Sequence, residues 1–301
     1  MGNKWRYSIL FVLGLFLLSS VISSMFRVST SSTQGNILFI EINGPIVTSA
    51  PESLFGSDMV SANRIASLIR NVDEDESLLG VLLSIDSPGG GAVASQEIVQ
   101  ALKDLEKPSV SVIRTLGASG AYWVASATDK IYSNPLSLVG SIGVTSSYLE
   151  FSGLLERYNI TYERIVSAEH KDIGSPLRPL SDDERNMLLE QINLVHDFFV
   201  NDVAYNRNVE REVIDKVANG HIFMGQVALQ NGLIDDLGNL DDAVDYLESL
   251  LNTTITLRKF SSKSQILSLF GLIGDDFAFN FGKGFASWVT QEQHRDIISL
   301  K

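Results

Sequence analysis

The sequence predicts an α/β protein built on a largely parallel β-sheet with helical additions, and three observations carry that prediction. From Asn36 onward, short apolar runs of strand length alternate with segments of helical periodicity. One run, Gly80–Ile85, is apolar on both faces, the pattern of a strand buried between two layers. Three glycine-rich turns also stand where strands should hand over to helices: Pro88-Gly89-Gly90-Gly91, Gly117-Ala118-Ser119-Gly120 and Gly140-Ser141-Ile142-Gly143.

The elements follow in order. Asn36–Ile42 is a β run stopped by Asn43-Gly44-Pro45, and Ser61–Val72 carries Ile65, Leu68, Ile69 and Val72 at helical spacing. The acidic stretch Asp73–Glu76 reads as a solvated helix end. After Gly80–Ile85 come a helix over Ala92–Leu105, a strand over Ser109–Ile113, a helix through Ala127 and a strand over Lys130–Ser133. A short helix at Gly153–Tyr158 and a strand at Thr161–Ser167 precede a polar loop, Ala168–Pro179. Ser181-x-x-Glu184 is a capping box that opens a long helix to about Tyr205. Two shorter helices, Glu210–Ala218 and Gly225–Gln230, follow, with Gly232 as a stop.

Composition excludes several functions. With 36 acidic against 23 basic residues, the net charge of −13 argues against a nucleic-acid partner. The absence of cysteine removes disulfides, thiolate metal sites and a thiol nucleophile. Four histidines with no His-x-x-x-His spacing make a catalytic metal improbable, and no cofactor is implied. At the N-terminus, Ser8–Phe26 is free of charge, and such a helix rises about 28 Å, close to a bilayer core. Lys4 and Arg6, outweighing Arg27, place the body outside the cytoplasm. A cleaved signal peptide is the alternative, but no A-x-A-like site appears and the apolar run continues past a usual signal core.

Fixed N–H donors at glycine turns and helix starts suit an oxyanion hole; tight turns or a phosphate cradle are the plainer readings, the latter weakened by the lack of a phosphate-loop pattern. Ser119, at a helix mouth beside glycine, is taken alone most simply an N-cap. A nucleophile also needs a base. His196 and His221 read as structural, and His170 lies next to the stronger candidate, Lys171, which taken alone is a solvated loop lysine.

The segments Asp86–Gly91, Ala118–Val124, Gly140–Val144 and His170–Pro176 together resemble the signal peptide peptidase A (protease IV) family of Ser-Lys peptidases, in its short single-repeat form. The likeness runs from about Ile37 to Tyr246, with the motifs in the family's order and 52 residues between Ser119 and Lys171. It implies Ser119 as nucleophile, Lys171 as general base, Gly90 and Gly120 as oxyanion donors and Ser141 as holder of the lysine amine. It further implies a Clp protease/crotonase-like fold and a ring-like homo-oligomer in which serine and lysine meet across a subunit boundary. The usual double glycine after the nucleophile is Gly120-Ala121 here.

A lysine base must lose a proton it ordinarily holds to about pH 10.4, a shift of roughly 3 units that burial can supply. The neighbours His170, Asp172, Ile173 and Pro176 are not an apolar pocket, so burial must come from packing against something else, which the resemblance implies is a neighbouring subunit. The expected organisation is an anchor over residues 1–28, a linker over 29–35, a peptidase domain over 36–258 and a tail over 259–301 of unclear role. The expected activity is degradation of cleaved signal peptides at the cell membrane. Rival readings are a related membrane Ser-Lys protease cleaving a stomatin-like partner, a crotonase-type acyl-CoA enzyme and a non-catalytic scaffold.

Overall fold

The computed structural model describes residues 35–50 and 59–260. An eight-stranded sheet forms its centre. Five strands pair in parallel in the order β1 (Ile37–Asn43), β4 (Gly80–Ser87), β5 (Ser109–Ala118), β6 (Lys130–Ser133) and β9 (Asp236–Leu237). β10 (Leu257–Lys259) lies beside β1. β7 (Leu138–Gly140) pairs with the far end of β5 and, antiparallel, with β8 (Ile222–Met224). A separate two-stranded ladder joins β2 (Ile46–Val47) and β3 (Val60–Ser61).

Alternation along the strands divides the core into two layers. Leu38, Ile40 and Ile42 of β1 face one way, with α1 (Ala62–Arg70), α2 (Ala92–Lys103) and α3 (Gly120–Ser126). Ile37 and Phe39 face the other way, with Leu82, Val110 and Val112, against α8 (Leu240–Leu251). A sheet covered on both faces needs central strands apolar on both sides, and β4 is buried at every position but Asp86.

The remaining helices are α4 (Ser152–Arg157), α5 (Asp182–Asn206), α6 (Arg211–Asp215) and α7 (Gly225–Gln230). The capping box of α5 is complete: Glu184 N–H donates to Ser181 Oγ at 3.2 Å, and Ser181 N–H donates to Glu184 Oε2 at 3.1 Å. Trp123 of α3 stacks on Phe199 of α5 and donates from its indole N–H to Asp202 at 2.7 Å.

Three expectations need correction. β5 runs five residues past Ile113, because Leu116–Ala118 pair with β7 although Arg114 and Thr115 interrupt the apolar pattern. Thr161–Ser167 is not a strand: among the described residues no neighbour pairs with it, and Ile165 remains 88% exposed. Gly140–Gly143 does not open a helix, since residues 141–151, without regular secondary structure, lead from β7 to α4. Among the described residues no helix is long and apolar enough to cross a membrane. The expected anchor over 1–28 and nearly all of the tail lie outside the described residues.

Candidate active site

The site forms at the C-terminal ends of β4, β5 and β7, where three turns converge. The chain leaving β4 is drawn onto β2 by a single parallel bridge. Ile46 N–H donates to Gly89 O at 2.8 Å, and Gly91 N–H donates to Ile46 O at 3.0 Å. In a parallel bridge of this register the N–H of the middle residue, Gly90, points away from the partner strand. Only glycine fits there, because a Cβ on Gly90 would lie 1.9 Å from Ile46 O.

β5 ends in Ser119, which has φ 53° and ψ −126°. This backbone is rare for a side-chain-bearing residue and costs of order 1–3 kcal/mol. Ser119 holds the N-cap position of α3, but its side chain makes no capping hydrogen bond, so the plain N-cap reading fails. The hydroxyl is half-buried and hydrogen-bonds to no described residue. A methyl group on Gly120 would lie 3.4 Å from Gly90 N, and one on Gly89 would lie 2.7 Å from Gly120 N. The turns after β4 and β5 therefore touch. The N–H groups of Gly90 and Gly120 donate to no acceptor among the described residues.

The third turn is tied to the second. Ser119 N–H donates to Gly140 O at 2.8 Å, and Ser141, itself at φ 52°, donates its N–H to His221 O at 2.8 Å. Four of the five sequence candidates (Gly90, Ser119, Gly120 and Ser141) are thus gathered at adjoining strand ends.

Among the described residues, Lys171 makes no hydrogen bond or ion pair with them. It is exposed, on a hydrogen-bonded turn over 168–175, and its amine has no hydrogen-bond or ion-pair partner among the described residues. The stretch before it also exposes large apolar side chains, among them Leu149, Tyr158 and Ile165. His196 is structural, with Nε2 3.1 Å from Ala218 O.

Two features escaped the sequence reading. Ser95 of α2 is fully buried beneath Gly120, and its hydroxyl has no hydrogen-bond partner. Beside Lys171, Asp172 binds two arginines, Arg164 and Arg178, and Arg178 also grips Glu184. The capping box was the one sequence signal that marked Glu184; nothing local marked its partners.

The model of peptidase family S49 matches residues 101–254. The "Putative signal peptide peptidase SppA" of Enterococcus faecium is 34% identical over 215 residues, covering 70% of this chain and 62% of that protein. The "Putative protease MJ0651" of Methanocaldococcus jannaschii is 35% identical over 205 residues, 67% of this chain and 66% of its own. "Protease 4" of Haemophilus influenzae is 28% identical over 229 residues, 75% of this chain but 36% of its own. The chain therefore spans less than two thirds of the length of these relatives. A mixed α/β body with a parallel-rich sheet, a half-buried serine on a positive-φ turn and this match over half its length identify the chain as a member of peptidase family S49.

Proposed function

We propose that the chain is a membrane-anchored serine endopeptidase of Clp protease/crotonase-like fold that degrades cleaved signal peptides and similar membrane-released segments. Ser119 is the nucleophile and Lys171 the general base. Ser119 Oγ attacks the scissile carbonyl while the neutral Lys171 amine takes its proton. The N–H groups of Gly90 and Gly120 receive the negative charge on the carbonyl oxygen. The leaving amine takes the proton, and water, deprotonated by Lys171, releases the acyl group and restores the serine. Ser141 holds the lysine amine.

The observation that carries this reading is the Ser119 turn: a strained serine, uncapped, on a turn that touches the Gly90 turn, with the Gly90 and Gly120 N–H groups donating to no acceptor among the described residues. An N-cap has no use for the positive φ, whereas a nucleophile that must project from a strand end does. The names of the relatives, peptidases and proteases, agree with it.

The exposure of Lys171, on a segment with uncovered apolar side chains, supports burial of the amine by a neighbouring subunit in a closed ring. The N-terminal apolar run would hold that ring on the outer side of the cell membrane. The test is complementation. Ser119→Ala and Lys171→Ala should each abolish peptide hydrolysis with folding intact, and the double variant should lose little more. Mixed and exchanged, the two inactive proteins should recover part of the activity, because some boundaries then join an intact serine to an intact lysine. No recovery despite demonstrated subunit exchange would sink the shared site and leave the dyad standing.

A further inference from the structure

On the turn that carries Lys171, the lysine is exposed while Ile173 is half-buried. Three backbone hydrogen bonds close the turn: Lys171 to Ala168, Ile173 to His170 and Ser175 to Asp172. Its firm attachment is ionic. Asp172 accepts from Arg164 (Nε 3.0 Å, Nη2 2.8 Å) and from Arg178 (Nε 3.0 Å, Nη2 2.9 Å). Arg164 also donates to Glu169 O at 2.5 Å, so the chain is gripped on both sides of Lys171. Arg178 turns its other edge to Glu184, at 2.8 and 2.6 Å. Glu184 is 3% exposed and belongs to the α5 capping box.

We infer that Asp172, Arg178 and Glu184, with Arg164, form a positioning network for Lys171. It ties the lysine turn to the first turn of α5, and it occupies the carboxylate next in sequence to the amine. This rests on the reading of Lys171 as the general base.

The second role follows from charge. A free aspartate beside a lysine would pair with the ammonium and keep it protonated, which disables a base. Here both oxygens of Asp172 are engaged by guanidinium groups, in the planar fork geometry that suits arginine. The four side chains sum to zero charge, so they add rigidity without a net field. The other charged groups near the turn are Glu169, joined through its backbone, and His170 with Asp183 of α5, whose Nε2 and Oδ2 lie 3.8 Å apart.

The experiment uses the full chain and a chromogenic peptide. It follows kcat/KM from pH 6 to 10 for Arg178→Ala, Asp172→Asn and Arg178→Lys, with folding checked by circular dichroism. Arg178→Ala and Asp172→Asn should each lose at least about ten-fold in kcat with KM little changed. Their acid limbs should move in opposite directions, by about half a pH unit each for a partly screened charge. Arg178→Ala leaves Asp172 half neutralised and shifts the limb to higher pH. Asp172→Asn leaves the network with one net positive charge, since Glu184 still pairs with Arg178, and shifts it lower. Arg178→Lys keeps the charge but not the double fork, so it should keep the limb and recover only part of the rate.

A merely structural role would lower all three rates without moving the limb. An unmoved limb, or shifts in the same direction, overturns the inference. Should Arg178→Ala not fold, Asp172→Asn and Arg178→Lys decide the matter: the limb must fall in the first and stay in the second. Activity surviving in Lys171→Ala would instead remove the base assignment itself.

Discussion

Gly90→Ala should disable the protein out of proportion to its size. A Cβ at this position would meet Ile46 O at 1.9 Å, Ile46 N at 2.6 Å and Ile46 C at 2.7 Å. All three are backbone atoms of a neighbouring strand, so no side-chain rotation relieves the clash. Restoring an ordinary 3.4 Å contact requires the β2 and post-β4 segments to part by about 1.5 Å. That displacement breaks the two bridging hydrogen bonds, at about 0.5–1.5 kcal/mol each, on top of roughly 1–3 kcal/mol of overpacking. The expected loss of stability is about 2–6 kcal/mol. The Gly90 N–H moves with its segment, and a lost oxyanion donor costs about 100- to 1000-fold in kcat. The control is Gly91→Ala. Its Cβ would meet only Ala94 Cβ, at 3.7 Å, and Gly91 already has φ −61°. As an N-cap glycine it should cost within about 1 kcal/mol and leave turnover within a few-fold. Urea unfolding and peptide hydrolysis measure the two quantities separately. A folded Gly90→Ala protein with near wild-type kcat would refute the placement of this N–H in the oxyanion site.

Two further perturbations test the surrounding structure. Glu184 is held down to about 2, from an ordinary 4.5, first by Arg178 and then by the Ser181 N–H. Its folded pKa is depressed, so its contribution to stability is fully present above about pH 4.5 and is lost as the pH falls toward 2. The difference in Tm between wild type and Glu184→Gln should shrink across that window; a difference constant with pH would contradict the pairing with Arg178. Tyr122 is fully buried and donates to Leu233 O at 2.8 Å, tying α3 to the chain entering β9. Tyr122→Phe strands that carbonyl and should cost about 1–2 kcal/mol, read as a lower urea midpoint with an unchanged slope. An unchanged midpoint would show that the bond contributes nothing net.

What the sequence determined by itself was local. Continuous apolar runs of strand length placed β1 and β4, helical spacing placed α1, and Ser181-x-x-Glu184 located the start of α5, because a capping box is closed by residues three apart. The order of the glycine turns also placed Gly90, Ser119, Gly120 and Ser141 at chain reversals. What only the tertiary structure decided was which of these turns touch, and which segments find no neighbour. Gly90 is confined by Ile46, 44 residues away in the chain, and no pattern near Gly90 reports that strand's approach. The positive φ of Ser119 and its failure to cap α3 accompany a tether to Gly140, 21 residues away in the chain. Thr161–Ser167 has a strand's composition but no ladder partner, and a strand exists only by pairing. For Lys171 neither level closes the site: Asp172 beside it is held by Arg164 and Arg178, while Lys171 itself is exposed and its amine has no partner among the described residues. The physical reason is the same in each case, since periodicity and capping act within a few residues, whereas contact between turns depends on how the whole sheet stacks its strand ends.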